Sequence, residues 1–552
     1  MQKDIQSDIQ VGQIFNPNDR RKIANVDTCT NSKDMLWSNI GFSRDLSRII
    51  FSNAYKRMAG KTQLFPVGYT DHYMNRLTHT LIVNNIAVDI ATRVNSIYVE
   101  AQINLDLIQA IANGHDVGHT PFGHAGERTL QKLVSQRKTS HNSSANTIAH
   151  DKPTVTFKHN IFSVGILQGL ERVKNFEYGY DLTWQTIDGI LKHTDYEYDE
   201  SLGNYFELKL KNEFLFSKKL LKTLNEVTPQ KSPLNSYLQY KFPLTIEGQI
   251  VKIADEIAQY YHDVLDCSRF AEHNKLPNPI AKILERLKGR IYNNNEQPYV
   301  SKFLNTYYKN GRIADKKIFA PENRESFAND FKELFINDVI FTIQKALTKK
   351  KENRRKSRLI YDIDKSTGQK MIKNILFKTN KEGKVIPVFS SKYVRFASNV
   401  FVKYRNKILQ SEVITTFDEM GASLINTMVE RLLKNSSEFN KHCGKDILHN
   451  ALVLLAANKI ELCFQGEKLK LNNMCSLNEK NDQFAIAIHK YAFNKSAEEL
   501  NLVFYPKDDS KTREIISDLV FTTIIETVAR MTDNYINRSV DSEPCVEYVF
   551  SE

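Results

Sequence analysis

One stretch of the chain, Asn113–Glu127, concentrates residue types that bind metals and move protons. It contains three histidines, an aspartate and a glutamate, separated by four glycines and a proline. Ile108 and Ile111 precede His115 by seven and four positions, so His115 continues a helical apolar stripe and faces the core. A buried imidazole followed directly by the carboxylate of Asp116 needs a partner. Imidazole and carboxylate are ligand types of Mn, Fe, Co, Ni and Zn.

Two other segments contain candidate partners for a metal site. His79 begins a segment with the apolar spacing of an amphipathic helix, so it lies at the N-terminal end of that predicted helix. Asp255 follows Val251 by four positions and precedes Ala258 by three, which places a carboxylate on the apolar face of another predicted helix. These segments predict a divalent-metal site on three helices, and the alternative is an ion-pair network in a helical core. The four candidate ligands are His79, His115, Asp116 and Asp255.

The order of these ligands resembles a known signature. A histidine, a His-Asp pair and a distant aspartate mark the HD phosphohydrolase superfamily. The longer motif His115–Glu127 is similar to the dNTP triphosphohydrolases within it, typified by the bacterial deoxyguanosine triphosphate triphosphohydrolases. Further matching motifs occur in the family's order over about residues 40–540. They are Arg44-Asp45 with Arg48-Ile49, Tyr55–Arg57 with Gly60–Gln63, Lys158–Asn160, Ile253–Gln259 with His262-Asp263, and Ala529–Tyr535.

The resemblance implies a reaction and a set of partners. It implies metal-dependent hydrolysis of a dNTP, preferably dGTP, between the α-phosphorus and the 5′ oxygen. The products are a deoxynucleoside and inorganic triphosphate. The ion would be Mn, Mg, Co, Fe or Ni, and the sequence does not identify it. Family members assemble as oligomers, often hexamers, and some bind single-stranded DNA. A homo-oligomer is therefore expected, and single-stranded DNA is a candidate partner.

The resemblance also implies catalytic roles for residues that follow the metal ligands. His124 is expected to be the acid/base group, oriented by Glu127 three residues later. His119 is expected near the phosphates. The alternatives are that Glu127 only stabilises the start of a helix, and that His119 is structural.

Four further residues match family positions that contact the substrate. Arg76 suits the α-phosphate, because a guanidinium fits phosphate oxygens; the alternative is a solvated arginine. Lys192 stands where the family carries a lysine aimed at the phosphates. Gln63 and Asp263 match positions that contact the sugar near its 3′-hydroxyl.

The chain departs from part of the family at Gln259. Some members carry a tyrosine there that stacks on the deoxyribose and helps to exclude a 2′-hydroxyl. The neighbouring Tyr260 and Tyr261 could substitute, but neither has the same helical phase. Rejection of ribonucleotides is therefore expected to be less sharp than where tyrosine is present.

The elements that must position these residues are mainly helices. Apolar periodicity predicts a mostly α protein. The resemblance implies that it comprises an N-terminal arm (1–40), an HD core (41–275) and a helical C-terminal domain (276–552). Residues 345–358 hold eight basic residues and one acidic residue. This pattern predicts a solvated surface, with nucleic-acid or nucleotide contact as the alternative. A short hairpin is predicted around Lys381-Glu382-Gly383. Apolar spacing predicts helices over 43–58 and 518–538, and the polar, non-periodic composition of 135–147 predicts an exposed loop.

Composition and charge restrict the class of protein. The 552 residues are 41% hydrophobic and 25% charged, which is ordinary for a globular protein with a large core. The sequence has no run of 18 apolar residues, no basic-then-apolar leader, and no CxxC pattern among its six cysteines. These features predict a cytoplasmic protein without a membrane span. The chain has 76 basic and 64 acidic residues, so its net charge is +12. A positive net charge suits an anionic partner such as a nucleotide or a nucleic acid.

Two other functions are compatible with the motifs. One is another HD phosphohydrolase that acts on a cyclic or monophosphate nucleotide or on nucleic-acid ends, and product analysis separates it from a triphosphohydrolase. The other is a nucleic-acid-binding protein with a vestigial metal site. The presence of all four predicted ligands argues against a vestigial site.

Overall fold

The structure is a computed structural model of the 552-residue chain. It describes residues 41–64, 74–98, 103–142, 157–171, 179–180, 182–195, 241–273, 278–288, 297–310, 312–314, 320–351, 361–363, 370–372, 375–457, 461–469, 478–493, 495–505 and 509–540. The predicted N-terminal arm, residues 1–40, lies outside these ranges, and so does the part of the basic segment over 352–358.

Helices dominate the described residues, which confirms the predicted mostly α fold. The first nine are α1 (Gly41–Ile50), α2 (Asn53–Arg57), α3 (Arg76–Ile97), α4 (Leu105–Gly114), α5 (Gly123–Asn142), α6 (His159–Gly165), α7 (Trp184–Lys192), α8 (Ile246–His273) and α9 (Pro279–Lys288). The next eight are α10 (Pro298–Tyr307), α11 (Arg324–Lys351), α12 (Lys392–Leu409), α13 (Glu412–Lys434), α14 (Ser436–Ala457), α15 (Asn478–Ala492), α16 (Asp509–Arg530) and α17 (Asp533–Val540).

Short strands complete the regular structure of the described residues. They are β1 (Tyr308–Lys309), β2 (Arg312–Ile313), β3 (Tyr361–Ile363), β4 (Lys370–Ile372), β5 (Phe377–Thr379), β6 (Val385–Pro387), β7 (Glu461–Phe464), β8 (Glu467–Lys468) and β9 (Leu502–Tyr505). The first six pair as antiparallel hairpins, and the last three form an antiparallel sheet in the order β8-β7-β9. The β5–β6 hairpin, with Gly383 at φ 77° in its turn, confirms the hairpin predicted there.

The chain divides into two compact units, each assembled from several segments. The first unit contains the described residues of 41–117, 160–195 and 241–417. The second contains those of 118–159 and 418–540. The first unit extends beyond residue 275, the predicted end of the HD core, as far as Phe417.

The core of the first unit forms where α3, α4 and α8 pack against one another. Val83 and Ile90 are fully buried on α3, two turns apart, and Ile250 and Ile257 repeat the same spacing on α8. Burial of these apolar stripes fixes which face of each helix points inward. It thereby also fixes the direction of the polar side chains that share those faces.

The second unit has an apolar core in which α14, α15 and α16 pack together. Phe439 and Ile447 of α14, Ile488 of α15 and Ile524 of α16 are fully buried there. None of the described helices, in either unit, combines the length and the apolar character that a membrane crossing requires.

Polar residues decide where several helices begin and end. The helix predicted over 43–58 is interrupted where Ser52 accepts a hydrogen bond from the N–H of Tyr55 and so begins α2. The helix predicted over 518–538 is interrupted in the same way, because the hydroxyl of Thr532 accepts from the N–H of Tyr535 at the start of α17. Conversely, α5 continues to Asn142 through residues whose polar composition predicts a loop.

Candidate active site

His79 lies in the first turn of α3 because a capping box fixes where that helix begins. The side-chain oxygen of Asn75 accepts a hydrogen bond from the N–H of Thr78, and the Thr78 hydroxyl accepts one from the N–H of Asn75. This cap starts α3 at Arg76. It turns His79, which is 1% exposed, towards the same interior as Val83.

His115 and Asp116 directly follow the last residue of α4. The Nδ1 atom of His115 lies 2.7 Å from the carbonyl oxygen of Ala112, and the hydroxyl of Ser163 donates to the carbonyl oxygen of His115 at 2.9 Å. When Nδ1 carries the hydrogen that the Ala112 carbonyl accepts, the lone pair of the ring is on Nε2. That Nε2 is buried and has no hydrogen-bond partner among the described residues.

Asp255 and His262 lie two turns apart on α8, and both contact His79. Oδ1 of Asp255 is 3.0 Å from Nε2 of His79, and Nε2 of His262 is 2.9 Å from Nδ1 of His79. His262 is fully buried, and its own Nδ1 lies 3.0 Å from Oδ1 of Asp263. One helix therefore contacts both ring nitrogens of His79 and fixes the orientation of its ring.

The side chains of His79, His115, Asp116 and Asp255 converge in what we call the aspartate cluster. Oδ2 of Asp116 is 3.9 Å from Nε2 of His79 and 3.5 Å from Nε2 of His115. Nε2 of His115 is also 3.9 Å from Oδ1 of Asp255. Metal–ligand distances of about 2.0–2.2 Å place neighbouring ligand atoms roughly 3 Å apart. His79, His115 and Asp116 could therefore hold a metal ion, and Asp255 is close enough to complete the set.

Burial and charge favour the forms of these residues that bind metals. Burial lowers the pKa of His79 and so favours its neutral imidazole. Burial by itself would raise the pKa of Asp255, but its contact with His79 and the nearby ring of His115 outweigh it and hold that pKa below its usual range. A neutral imidazole and an ionised carboxylate are the forms that a divalent ion requires.

Two of the predicted substrate-binding residues present buried polar atoms without partners. Nη1 of Arg76 donates to Oδ2 of Asp116 at 2.8 Å, and its Nε donates to the carbonyl oxygen of Thr62 at 3.0 Å. The remaining nitrogen, Nη2, has no hydrogen-bond partner among the described residues, and the same holds for the buried Oε1 of Gln63. A buried donor and a buried acceptor without partners are costly, so both atoms fit contacts with a ligand.

The other two predicted substrate-binding residues are buried beside charged neighbours. Nζ of Lys192 lies 3.1 Å from Oδ1 of Asp188, and burial lowers the pKa of Lys192 to about 8. Asp263 contacts His262 through Oδ1, and its Oδ2 is 3.6 Å from Nη1 of Arg405. The substrate contacts assigned to Lys192 and Asp263 stay predictions.

A further group of histidines, in the second unit, is organised around a carboxylate. We call His119, Glu127 and His159 the glutamate cluster. Nδ1 of His159 lies 2.6 Å from Oε2 of Glu127, and Nζ of Lys158 lies 3.2 Å from Oε1. The rings of His119 and His159 are stacked with their centroids 3.9 Å apart, and the centroid of His124 is 5.5 Å from that of His119.

The resemblance implies that Glu127 orients His124, which stays a prediction. The closest described contact of the carboxylate is with His159, whose Nδ1 lies 2.6 Å from Oε2. Burial by itself would raise the pKa of Glu127, but His159 and Lys158 outweigh it and hold that pKa below the usual range. Among the three neighbours that lower this pKa, His124 contributes least. His124 is exposed and Glu127 is 7% exposed, so the carboxylate faces inward, towards a segment about thirty residues further along the chain.

The tyrosines beside Gln259 are already engaged in other contacts. The hydroxyl of Tyr260 forms a 2.8 Å hydrogen bond with that of Ser398, and its ring packs against Phe335 with centroids 4.9 Å apart. Nζ of Lys332 lies 5.5 Å from the ring centroid of Tyr261. Both tyrosines therefore have contacts of their own within the protein, and their substitution for a tyrosine at position 259 stays a prediction.

Three histidines that have no role predicted from the sequence lie at these clusters. His159 belongs to a matched motif, and His262 follows Asp255 by seven residues, which is the helical spacing that could have identified it. His193 directly follows Lys192, and its ring centroid is 5.0 Å from that of His115. Its Nδ1 lies 2.7 Å from the carbonyl oxygen three residues earlier, the same arrangement that orients His115.

The sequence is similar to the HD domain and to several known proteins. The family model of the HD domain matches residues 76–260. A deoxyguanosinetriphosphate triphosphohydrolase-like protein of Caldanaerobacter subterraneus subsp. tengcongensis is 33% identical over 271 residues, which cover 47% of this chain and 58% of that protein. Proteins with the same description from Rickettsia bellii and Rickettsia prowazekii are 35% and 31% identical, over 41% and 45% of this chain and 46% and 54% of their own lengths. The chain therefore matches about half the length of these relatives.

Proposed function

We propose that the chain hydrolyses a deoxynucleoside triphosphate between the α-phosphorus and the 5′ oxygen. Its match to the HD-domain model over residues 76–260 and its similarity to deoxyguanosinetriphosphate triphosphohydrolase-like proteins support this proposal. The products are a deoxynucleoside and inorganic triphosphate. The names of the similar proteins favour dGTP as the substrate. A homo-oligomer, hexameric by resemblance, and single-stranded DNA as a further partner belong to the same proposal.

The observation that carries the proposal is a set of buried polar atoms without partners in the first unit. They are Nε2 of His115, Nη2 of Arg76 and Oε1 of Gln63, each without a hydrogen bond to the described residues. Buried polar groups are normally satisfied, so this set is costly unless a ligand completes it. A divalent ion at His115, a phosphate oxygen at Arg76 and a sugar hydroxyl at Gln63 would satisfy all three.

The residues of the first unit would bind and orient the nucleotide. A divalent ion at the aspartate cluster supplies positive charge for the phosphate oxygens. Arg76 keeps Nη1 on Asp116 and offers Nη2 to the α-phosphate, so the same guanidinium fixes a metal ligand and a phosphate oxygen relative to each other.

The glutamate cluster supports the proposed proton transfer. His119 follows Asp116 by three residues, and its ring stacks on that of His159, which Glu127 holds by a hydrogen bond. We assign to His119 and His124 the protonation of the departing 5′ oxygen or the activation of water, and to Glu127 the electrostatic support of these histidines. A positioned acid/base group contributes about 10²–10⁴-fold to the rate.

Product analysis tests the proposal directly. The purified protein is incubated with each of the four dNTPs and with GTP, in the presence of Mn or Mg, and the products are separated by chromatography. Deoxynucleoside together with inorganic triphosphate is the expected result. Release of a nucleoside monophosphate identifies another type of HD phosphohydrolase. A metal-loaded protein that turns over none of these nucleotides supports the alternative of a nucleic-acid-binding protein.

The sugar contacts proposed for Gln63 and Asp263 have their own test. A buried polar group that meets a hydroxyl penalises a substrate that lacks it. We therefore expect kcat/KM for 2′,3′-dideoxy-GTP to be at least about 10²-fold below that for dGTP. Gln63→Ala should lower the ratio of kcat/KM for dGTP to kcat/KM for 2′,3′-dideoxy-GTP, because the variant lacks the Oε1 atom that is proposed to meet the 3′-hydroxyl. Equal turnover of the two nucleotides by the wild-type protein would show that both roles are misassigned.

A further inference from the structure

The turn that follows the His115-Asp116 pair has an unfavourable backbone conformation. Phe122 and Gly123 both have positive φ angles, 56° and 54°. Glycine adopts this region without steric cost, but a residue with a bulky side chain does not. The chain nevertheless places a phenylalanine at the first of the two positions, between His119 and His124. Such a conformation persists only where surrounding contacts enforce it.

One of these contacts comes from the C-terminal part of the same unit. The N–H of Phe122 donates to Oδ1 of Asp533 at 2.9 Å, across a sequence separation of 411 residues. Phe122 and Asp533 are 2% and 4% exposed, so this hydrogen bond is shielded from water. A buried N–H without an acceptor would be strongly unfavourable, which makes the carboxylate a requirement of this conformation.

A second contact accommodates the phenylalanine ring. Phe122 packs against the backbone of Gly421 on α13, where a Cβ atom would lie 2.6 Å from Cγ of the ring. Any side chain at residue 421 would therefore displace the ring. The hydroxyl of Thr120 completes the turn by donating to the carbonyl oxygen of Gly123 at 2.8 Å. These contacts fix the turn both at its backbone and at its side chain.

We propose that Asp533 is a positioning residue for the catalytic histidines: it holds the Phe122–Gly123 turn and thereby fixes where His119 and His124 stand. Phe122 lies three residues after the first histidine and two before the second, so a change of its φ angle moves one relative to the other. This assigns a role to the Ala529–Tyr535 motif, which the proposed function leaves unexplained. Only the catalytic consequence rests on the proposed function; the control of the turn does not.

Asp533 has a second structural role that the test must separate from this one. It is the first residue of α17, where a carboxylate is favourable near a helix N-terminus. If stabilising α17 were its whole contribution, removing it would lower the melting temperature without changing the 118–127 segment. Asp518→Ala is the matched control, because Asp518 lies on α16 of the same unit and makes an exposed ion pair with Arg137.

Hydrogen exchange measures the turn without any substrate. In the 552-residue chain, Asp533→Ala should speed amide exchange in the peptide spanning residues 118–127 by about 10-fold or more, because the Phe122 amide loses its acceptor. Asp533→Asn should stay close to wild type, since an amide oxygen accepts the same bond. Unchanged exchange in Asp533→Ala, or equal loss of protection in both variants, overturns the proposal whether or not the protein hydrolyses dNTPs.

Kinetics then test the consequence for catalysis. Asp533→Ala should lower kcat for dGTP by about 10–100-fold with metal affinity unchanged, and Asp533→Asn should restore most of it. In a protein that already carries Phe122→Gly, Asp533→Ala should lower kcat by a smaller factor than in the wild type, because glycine adopts a φ of 56° without steric cost. Asp533 does not act through the turn if Asp533→Ala lowers kcat by the same factor with and without Phe122→Gly. The same conclusion follows if kcat of Asp533→Ala equals that of Asp518→Ala. If the wild-type protein turns over no dNTP, the proposed function fails while the exchange result stands.

Discussion

The aspartate cluster and the glutamate cluster use the same residue types but suit different chemistry. In the aspartate cluster, the Nε2 atoms of His79 and His115 face carboxylate oxygens at 3.0–3.9 Å. Their Nδ1 atoms contact His262 and the carbonyl oxygen of Ala112. In the glutamate cluster, a single carboxylate lies 2.6 Å from a histidine Nδ1 and 3.2 Å from a lysine.

The difference shows that the partner of each nitrogen, rather than the type of residue, decides what a histidine can do. Distances of 3.0–3.9 Å between ligand atoms leave room for an ion between them. A separation of 2.6 Å is that of a charge-assisted hydrogen bond, with a proton between the two atoms. His119, Glu127 and His159 also lie close enough together for a metal, but the adjacent ammonium of Lys158 opposes a second cation. We therefore expect one metal ion per chain, at the aspartate cluster.

The largest effect should come from removing a carboxylate of the aspartate cluster. Asp116→Ala should abolish metal binding and turnover while the protein stays folded, because the variant loses a metal ligand and the acceptor that orients Arg76. His115→Ala should behave in the same way. Metal content by mass spectrometry and melting temperature by calorimetry check both variants. Full metal occupancy in either folded variant would contradict the assignment.

The glutamate cluster should respond in the opposite manner. His159→Gln should lower kcat by about 10–100-fold and leave the metal content of the protein unchanged, because the variant removes the imidazole that contacts Glu127 and stacks on His119 but removes no proposed metal ligand. Lys158→Met is the matched control, because Lys158 contacts the other oxygen of the Glu127 carboxylate. This variant should lower kcat by a smaller factor than His159→Gln. If His159→Gln loses its metal instead, the two clusters are not chemically distinct.

His262, which contacts the Nδ1 atom of His79, offers a further test of the aspartate cluster. His262→Ala should weaken metal affinity by about 10–100-fold without changing the stoichiometry, because the Nδ1 atom of His79 loses the partner that orients the ring. His262→Gln should recover part of the affinity, since its side-chain oxygen can accept from Nδ1. The affinity is measured by titration calorimetry with Mn. An affinity equal to wild type in His262→Ala would remove His262 from the metal site.

The depressed pKa of Glu127 predicts a pH dependence of stability. A carboxylate whose folded-state pKa is below its unfolded value of about 4.3 stabilises the fold fully above that value. The contribution is lost as the pH falls through the lower folded value. The melting temperature of the wild type should therefore exceed that of Glu127→Gln by a constant amount near pH 6, and by less towards pH 3. A difference that grows on acidification would contradict the ion pair with His159.

The smallest effect is expected at Gln259, which follows Asp255 by one helical turn. Because Tyr260 and Tyr261 are engaged elsewhere, Gln259→Tyr should increase the preference for dGTP over GTP by a few-fold, roughly 1 kcal/mol of discrimination. Tyr260→Phe is the control and should leave the ratio unchanged. A Gln259→Tyr variant with the wild-type ratio of kcat/KM values would show that another residue closes that side of the sugar.

Much of the fold can be predicted from periodicity, and the departures have local causes. The mostly helical architecture and the β5–β6 hairpin follow from apolar spacing and from the glycine in the turn. The helix breaks at Ser52 and Thr532 do not, because a single hydroxyl that caps the following helix changes the apolar pattern very little. The helical continuation through residues 135–142 is also missed, since an exposed helix can have the polar composition of a loop.

The sequence by itself determined the candidate ligands and the face of the helix on which each one lies. His79, His115 and Asp255 are identified by their place in apolar stripes, because helical geometry fixes side-chain direction within one element. Only the tertiary structure decided which side chains meet. Glu127 meets His159 across 32 residues, His79 meets His262 across 183, and Phe122 meets Asp533 across 411. Such contacts depend on how separate elements pack, and the local spacing that predicts a helix contains no information about that packing.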